Sequence, residues 1–331
     1  MKKAAAILLL LAFSLAFFAC SPADRTVDGF SMGSDYSVSY TFDGDLDKEI
    51  ADLFASVESS YSVRVSSSLV SRLNAAKVGE IVALSAEEAE VFSLAFRLAS
   101  DSKSAFDPAI LPLVKVWGFD PPYEMNGKVP PSESAIAEAK DLSAMDQFIF
   151  YRELSRITKR SDGASFDLGA AIKGYAVGRV VDLLREKGAT EALVQLGGTV
   201  GALGKSYPIG VHAPRDSEYD YAFRFSLEDG EVCATSGDYE RYYEYEGKRY
   251  HHILDVKTGY PASSGVISAT IVASDGLIAD AFATAVVVLG VEKGVSLLEQ
   301  YGVKGAIVTE DKRVVTVGLN VTIKDVSYEI A

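Results

Sequence analysis

The chain of 331 residues holds only 3 histidines, 2 cysteines and 1 tryptophan, and it is short of positive charge, with 32 Lys and Arg against 46 Asp and Glu. That shortage leaves a formal net charge of −14. A surface of this sign repels nucleic acid and anionic lipid, because phosphate binding needs a cationic footprint. Nucleic acid is therefore excluded as a partner, and a small phosphorylated ligand has to be held by a local device. No internal repeat is found and no linker divides the body. The Pro- and Gly-rich stretch "WGFDPPYEMNGKVPPSES", Trp117 to Ser134, reads as an excursion from a domain rather than a boundary. Disorder is excluded by 48% hydrophobic and 24% charged residues, ample material for the core of one large or two modest domains.

A basic start and an apolar run from Ala4 to Ala19 precede Cys20 in "MKKAAAILLLLAFSLAFFAC". The run is short and begins directly after the basic residues, as in a secretory signal rather than a spanning helix. "LAFFAC" resembles the lipobox of bacterial lipoproteins, with Phe17 where an aliphatic residue is usual. The resemblance implies that residues 1–19 are removed and that Cys20 becomes the lipidated N-terminus; a plain cleaved signal with a leftover Cys is the alternative. With Cys20 acylated no disulfide can form, and Cys233 in "GEVCATSG" reads as a buried structural thiol. The polar "SPADRTVDG" reads as a short tether, so residues 20–28 are assigned to it and 29–331 to one domain.

Helical periodicity runs over Leu46 to Ser62, Ser85 to Ser100, Ser132 to Leu142, Gly169 to Gly188, and Ile278 to Gly290 with its continuation "VEKGVSLLEQYG". Strand-like runs include "YSVSYTF", "QFIFYR", "RITKR", "EALVQLG", "YAFRFSL", "RYHHILDV", "VISATIVAS", "GAIVTED" and "RVVTVG". Hairpin-like successions of strands interrupted by helices favour an α+β fold, antiparallel sheets with packed helices, over a doubly wound sheet.

Several clusters carry polar chemistry. In "FDLGAAIKGYAVG", Asp167 precedes a helix whose first turns hold Gly169, Lys173 and Gly174. Unpaired N–H groups at a helix start, with a Lys nearby, can hold a phosphate; an N-cap Asp with a solvated Lys is the plainer alternative. In "RYHHILDVKTGYP", His251 and His252 occupy adjacent strand positions and so face opposite sides. One of them can serve as a base near neutral pH, although taken alone each reads as a satisfied structural histidine; His212 reads as structural. "ATSGDYERYYEYEG" either shapes a pocket or forms two strands around a polar bend. Met32 at a strand edge and Asp107 in a turn read alone as core and turn residues.

"IADAFATAVVVLG" poses the sharpest question, because Asp280 and Thr284 lie on one face of an otherwise apolar helix. A carboxylate there is costly unless partnered. Either the pair supplies hard oxygen ligands to Mg²⁺, which completes its shell with water and substrate phosphates, or Asp280 pairs with a basic group and Thr284 bonds back to the helix backbone.

Taken in order, "SMGSDYSV", "SRLN", "SAFDPAILPLVKVWGF", "FDLGAAIKGYAV", "LVQLGG", "SGDYERYYEYEGKRYHHILDVKTGYP" and "ADAFATAVVVLG" resemble the ApbE family, the FAD:protein FMN transferases. The resemblance runs from Met32 to Gly290 and implies a T-fold-like α+β domain. It implies Mg²⁺-dependent transfer of FMN from FAD to a Ser or Thr hydroxyl of a target redox protein, with AMP leaving. FAD contacts would fall on Met32, Tyr61, Ala105, Phe106, Asp107, Asp167, Lys173 and Ile253. The metal would be held by Asp280, Thr284 and the main-chain carbonyl of Ala170, and His252 would activate the acceptor hydroxyl. The chain departs from the family's usual pattern with "MGS" for "MGT", "SKSAFD" for "TDGAFD" and "QLGGT" for "NLGGD", which puts pocket details at Gln195 and Thr199 in question.

The implied partners are FAD and acceptor flavoprotein subunits of membrane redox complexes. The implied location is the periplasm, lipid-anchored to the inner membrane through Cys20. A FAD pyrophosphatase and a non-catalytic flavin-binding lipoprotein remain as alternatives. "SGVISAT", Ser264 to Thr270, carries hydroxyls but reads as a buried strand rather than a segment for flavin attachment.

Overall fold

A computed structural model describes residues 23–119, 129–215 and 218–331. Residues 1–22, with the expected signal segment and Cys20, and the centre of the Trp117 to Ser134 stretch lie outside the described residues. The main sheet comprises β1 (Ala23–Ser31), β2 (Ser34–Phe42), β3 (Glu191–Leu196), β4 (Thr199–Leu203), β5 (Val232–Gly237), β6 (Val266–Ala273), β7 (Lys304–Thr309), β8 (Arg313–Val317) and β9 (Glu329–Ile330). These nine strands stand side by side in chain order. All neighbours are antiparallel except the last pair, β8 with β9. The helices are α1 (Asp47–Tyr61), α2 (Leu69–Ala75), α3 (Ala86–Asp101), α4 (Leu111–Trp117), α5 (Glu133–Asp141), α6 (Ile172–Lys187), α7 (Gly276–Leu289) and α8 (Val291–Tyr301). The architecture is α+β, as the sequence pattern predicts.

Local chemistry accounts for the helix ends. The Ser85 hydroxyl accepts from Glu88 N at 3.2 Å while Glu88 accepts from Ser85 N at 2.7 Å, a capping box that starts α3. Asp275 accepts from Leu277 N at 2.9 Å and starts α7. Gly188, with φ 90°, ends α6 in the left-handed conformation that suits glycine.

Alternation along the strands divides the core. In β6, Ala269, Ile271 and Ala273 face the helices, whereas Val272 faces a second sheet made of Tyr207–His212, Tyr221–Leu227 and Thr322–Ile323. Cys233, Ala306 and Val308 face that second sheet too, and burial pushes the Cys233 thiol up to about 12, as a structural thiol requires. Because both faces are covered, β6 is buried at every position and reads as a continuous apolar run. Val266 to Thr270 of "SGVISAT" are therefore internal, as expected, while Ser264 lies before the strand and is exposed.

Two sequence assignments change. Residues Ala23 to Asp28, given to a tether, belong to β1, which pairs with β2 along its whole length. An edge strand with one covered face carries so few apolar residues that it resembles a linker; Val27 is the inward one. "RYHHILDV" is not one strand. It divides after His251: the His252 amide still bonds the Arg241 carbonyl at 3.0 Å, the next position across the same hairpin, but Leu254 takes Pro261 as its partner. Lys248–His251 then pairs with Tyr242–Tyr245, and Leu254–Asp255 with Tyr260–Pro261.

Helices α6 and α7 cross in backbone contact on the sheet. A Cβ at Gly174 would stand 1.9 Å from the Gly276 carbonyl oxygen, and one at Gly276 would stand 2.0 Å from that of Gly174. No side chain can enter either position without separating the helices. At Gly178, one turn on, a Cβ would meet Gly276 N at an ordinary 3.7 Å. Gly174→Ala should accordingly cost about 1–3 kcal/mol through overpacking. Gly178→Ala should be neutral or gain up to about 1 kcal/mol from reduced chain entropy. Thermal melts of the two variants check this, and equal effects would mean that the crossing is not tight.

Candidate active site

Ser31 and Ser34 pair across the β1–β2 hairpin, leaving Met32 and Gly33 as its turn. Their φ angles are +50° and +76°, as a type I′ turn needs to match the strand twist. A methionine in this region costs roughly 1–2 kcal/mol, so Met32 is held against local preference. Its side chain packs half-buried on the main core and lines a cleft of about 730 Å³.

The other walls come from Tyr61 at the end of α1, Ala105, Phe106 and Asp107 between α3 and α4, and Asp167, Ala170 and Lys173 around the start of α6. His252, Ile253, Asp280 and Thr284 complete it. All the residues expected at a flavin, cation or proton-transfer site within the described residues thus line one cavity. Backbone ties align the loops. Asn74 clamps Phe166 from both sides, donating to its carbonyl at 2.9 Å and accepting from its amide at 2.6 Å. Asp167 N donates to the Pro108 carbonyl at 2.7 Å.

Asp280, 6% exposed, resolves the question of a carboxylate in an apolar helix. Its Oδ2 accepts from Gly174 N at 2.9 Å, across 106 residues of sequence. Burial raises its pKa, and Lys173 together with the Gly174 and Lys173 amides opposes that rise. Asp280 therefore caps α6 from the neighbouring helix, and α6 has no side-chain cap of its own at Ala171. This corrects the expectation that the helix start offers unpaired N–H groups to a phosphate. Ile172 N is bonded to the Leu168 carbonyl, Gly174 N to Asp280, and Tyr175 N to the Ala171 carbonyl. Nor does Asp167 cap the helix: its Oδ1 accepts from Gly169 N at 2.8 Å, within the preceding turn. The cationic side chains that line the cleft are Lys173, Arg64 and Arg241. Thr284, one turn from Asp280, bonds the Ser236 hydroxyl at 3.1 Å rather than its own helix backbone.

The adjacent histidines take opposite roles. His251 Nε2 donates to the Ala262 carbonyl at 2.9 Å, and its Nδ1 is buried without a hydrogen-bond partner. It does not line the cleft, and burial lowers its pKa. His252 Nδ1 contacts the Arg241 carbonyl at 3.3 Å; since a carbonyl only accepts, Nδ1 carries the proton and Nε2 the lone pair. Burial, then Arg241, His251 and Lys173, hold the His252 pKa well below 6.5. A neutral imidazole with a free Nε2 lone pair is a base ready for use at neutral pH. His212 is exposed and stands 5.7 Å, ring to ring, from Tyr239.

Asp107 Oδ1 accepts from Ala109 N at 3.0 Å, and Oδ2 is buried with no partner at hydrogen-bond geometry. Burial lifts this carboxyl to about 6, while Ala109 N, Ser104 and the Met145 backbone temper the rise.

Among the described residues no group of three or more His, Cys, Asp or Glu could cage a metal ion. The donor set at α7 is one under-compensated carboxylate and one hydroxyl, with the main-chain carbonyl of Ala170 in the same wall. Hard oxygens in this number fit a cation such as Mg²⁺, which keeps water and phosphate in its remaining positions.

Sequence reasoning gave no role to Asn74, Ser236, or the Gly197 and Gly198 turn, although "SRLN" and "LVQLGG" were conspicuous. A Gly pair between two strand-like runs signals a hairpin turn, and Leu196 does pair with Thr199 across it. Gly197, with φ +55°, approaches Ser34 and Lys173 so closely that a Cβ would lie 3.0 Å from the Ser34 hydroxyl. Of the two atypical positions, Thr199 lines the cleft and Gln195 does not.

The ApbE family model matches residues 32–307. A FAD:protein FMN transferase of Klebsiella pneumoniae (strain 342) is 34% identical over 263 residues, 79% of this chain and 81% of that one. The crystal structure of the ApbE protein of Thermotoga maritima superposes with a TM-score of 0.77 at 30% identity, covering 92% of this chain and 98% of that one. The apo flavinyl transferase ApbE of Pseudomonas stutzeri superposes with a TM-score of 0.76 at 29% identity, over 92% and 95% of the two chains.

The cap on α6 predicts that Asp280→Asn, whose amide oxygen can still accept from Gly174 N, keeps the parental melting temperature but no longer binds a divalent cation in calorimetric titration. Asp280→Ala should lose both the cation and about 0.5–2 kcal/mol of stability. Parental stability in Asp280→Ala would show that the cap contributes nothing.

Proposed function

The chain belongs to the ApbE family, and from that premise and the cleft we propose how it acts as a FAD:protein FMN transferase. FMN passes from FAD to a Ser or Thr hydroxyl of an acceptor protein, and AMP leaves. The observation that carries this reading is that His252, Lys173, Asp280 and Thr284, far apart in sequence, line one cavity large enough for a dinucleotide.

Asp280, Thr284 and the Ala170 carbonyl would hold Mg²⁺, which when bound supplies neutralising charge to the FAD diphosphate. Lys173 adds a second positive charge beside Asp280. Tyr61, Phe106 and Ile253, all buried, give FAD apolar walls, and Met32 closes the cavity at the hairpin. The His252 Nε2 lone pair takes the proton of the acceptor hydroxyl. That oxygen bonds to the FMN phosphorus, the bond from this phosphorus to the bridging oxygen breaks, and AMP carries the bridging oxygen away. The Arg241 carbonyl orients the imidazole through Nδ1, so the same side chain stays in the productive tautomer between turnovers.

A lipid anchor at Cys20 would place this chemistry at the periplasmic face of the inner membrane. Only Ser21 and Pro22 lie between Cys20 and β1, about 10 Å of extended chain. β1 then rises by roughly 30 Å over its length to the hairpin at the cleft. The reach suits acceptor subunits of membrane redox complexes. Cys20→Ser should release the protein from membranes, since stable anchoring takes more than one acyl chain. Persistent membrane attachment of that variant in cell fractionation would point to an uncleaved N-terminal segment.

The test of the base is kinetic. His252→Ala should lower FMN transfer by on the order of 10²–10⁴ with little change in FAD affinity, read by gel fluorescence of the flavin on an apo acceptor subunit. Because burial and the neighbouring cations depress the His252 pKa, the imidazole is already neutral above 6.5. Parental activity should therefore be flat upward from that pH and fall only below it, as His252 becomes protonated. An inflection at pH 7 or higher that vanishes in His252→Ala would contradict the environment described for this ring.

A further inference from the structure

The transferase reading requires a polypeptide to bring its hydroxyl to the cleft, and it leaves open where that polypeptide lies. Among the described residues the apolar core under the second sheet draws on β4 to β8 and on no residue of β1, β2 or β3; Tyr207 of the second sheet comes within electrostatic reach only of Glu191 and Asp24, at the end of those strands remote from the hairpin. The uncovered face of those strands presents Asp24, Thr26, Asp28 and Phe30 from β1, opposite Thr41, Ser39, Ser37 and Asp35 from β2. It follows the polar-outward alternation of a sheet with one wet face, with one exception. Phe30 is 69% exposed, and it lines the mouth of the cleft. It stands two residues before Met32.

We infer that this face of β1 is the docking surface for the acceptor polypeptide, with Phe30 as its anchor; the inference rests on the transferase reading. Three observations commit the surface to that occupant. First, its apolar point is continuous with the cavity in which the acceptor hydroxyl must react, so a chain lying on it is already at the site. Second, β1 is the outermost strand of the sheet. Its outer edge carries backbone N–H and C=O groups available to an extended segment, the mode of strand addition. Third, Phe30 stands among carboxylates: Asp35 is its cross-strand neighbour and Asp28 precedes it on the same face. On a chain of net charge −14, such a surround opposes insertion into an anionic bilayer and leaves a polypeptide as the fitting partner. Single aromatic anchors of this kind dominate many protein interfaces.

The experiment is steady-state FMN transfer at saturating FAD and Mg²⁺, with the apo form of a membrane redox-complex subunit as varied acceptor. Phe30→Ala should raise the KM for the acceptor about tenfold with kcat and FAD affinity unchanged, and Phe30→Asp should raise it further. Val326→Asp, at a position 83% exposed and away from the cleft, should match the parent. A parental KM in Phe30→Asp removes the docking surface while leaving the transferase reading intact. Weakened FAD binding in Phe30→Ala assigns the ring to the flavin pocket and also overturns the proposal. An inactive parent removes the transferase reading and this surface with it.

Discussion

The contact of Gly174 with Gly276 sets the geometry on which the cleft depends. Two helices lie on a sheet with their backbones touching, because a Cβ at either position would meet a carbonyl oxygen at about 2 Å. That approach brings the start of α6 within hydrogen-bond reach of Asp280, one turn beyond Gly276 on α7. Helices spaced by ordinary side chains, 8–10 Å between axes, would leave the carboxylate short of the Gly174 amide. Lys173, carried on the same turn, is thereby held against Asp280 and facing the cavity.

Asp280 serves two needs with one buried charge. It satisfies amides at a helix start that has no cap of its own, and in the proposed reaction it would offer oxygen to a cation from a helix that is otherwise apolar. Burial would make this carboxylate intolerable alone; Lys173 and the α6 amides compensate it in part, and its pKa still stands above the ordinary range. Glu240, in the same cavity, is also raised by burial, with Lys173 the foremost opposing charge. In a chain with fourteen more carboxylates than cations, capture of an anionic dinucleotide depends on local charges within a cavity, where screening is weak, and not on the field of the whole surface.

Much of this was legible in residue order. The 3.6-residue period placed α1, α3, α5, α6 and α7 within a few residues, and the alternation of strands and helices identified an α+β fold. The i, i+4 spacing put Asp280 and Thr284 on one face without knowledge of what faced them. β1 was illegible because an edge strand wet on one face has the composition of a linker. The break after His251 was illegible because it is a change of strand partner, from Tyr242–Tyr245 to Tyr260–Pro261, and both partners lie outside the apolar run. The phosphate reading of the α6 start failed for a related reason: the group that occupies its amides is 106 residues distant, and capping rules see only neighbours along the chain.

The sequence by itself determined the helices and most of the strands, the acidic surface, the placing of Asp280 and Thr284 on one helix face, and the family whose motifs it carries. These follow from local periodicity and from residue chemistry, which survive without coordinates. The tertiary structure alone decided which histidine lines the cleft. His251 and His252 are chemically identical and adjacent, and only the folded hairpin sends one ring into the cleft and ties the other to Ala262. It also decided that Phe30, a residue like any other apolar one in the sequence, stands uncovered at the mouth of the site, because where the second sheet stops is a matter of packing between strands far apart in the chain.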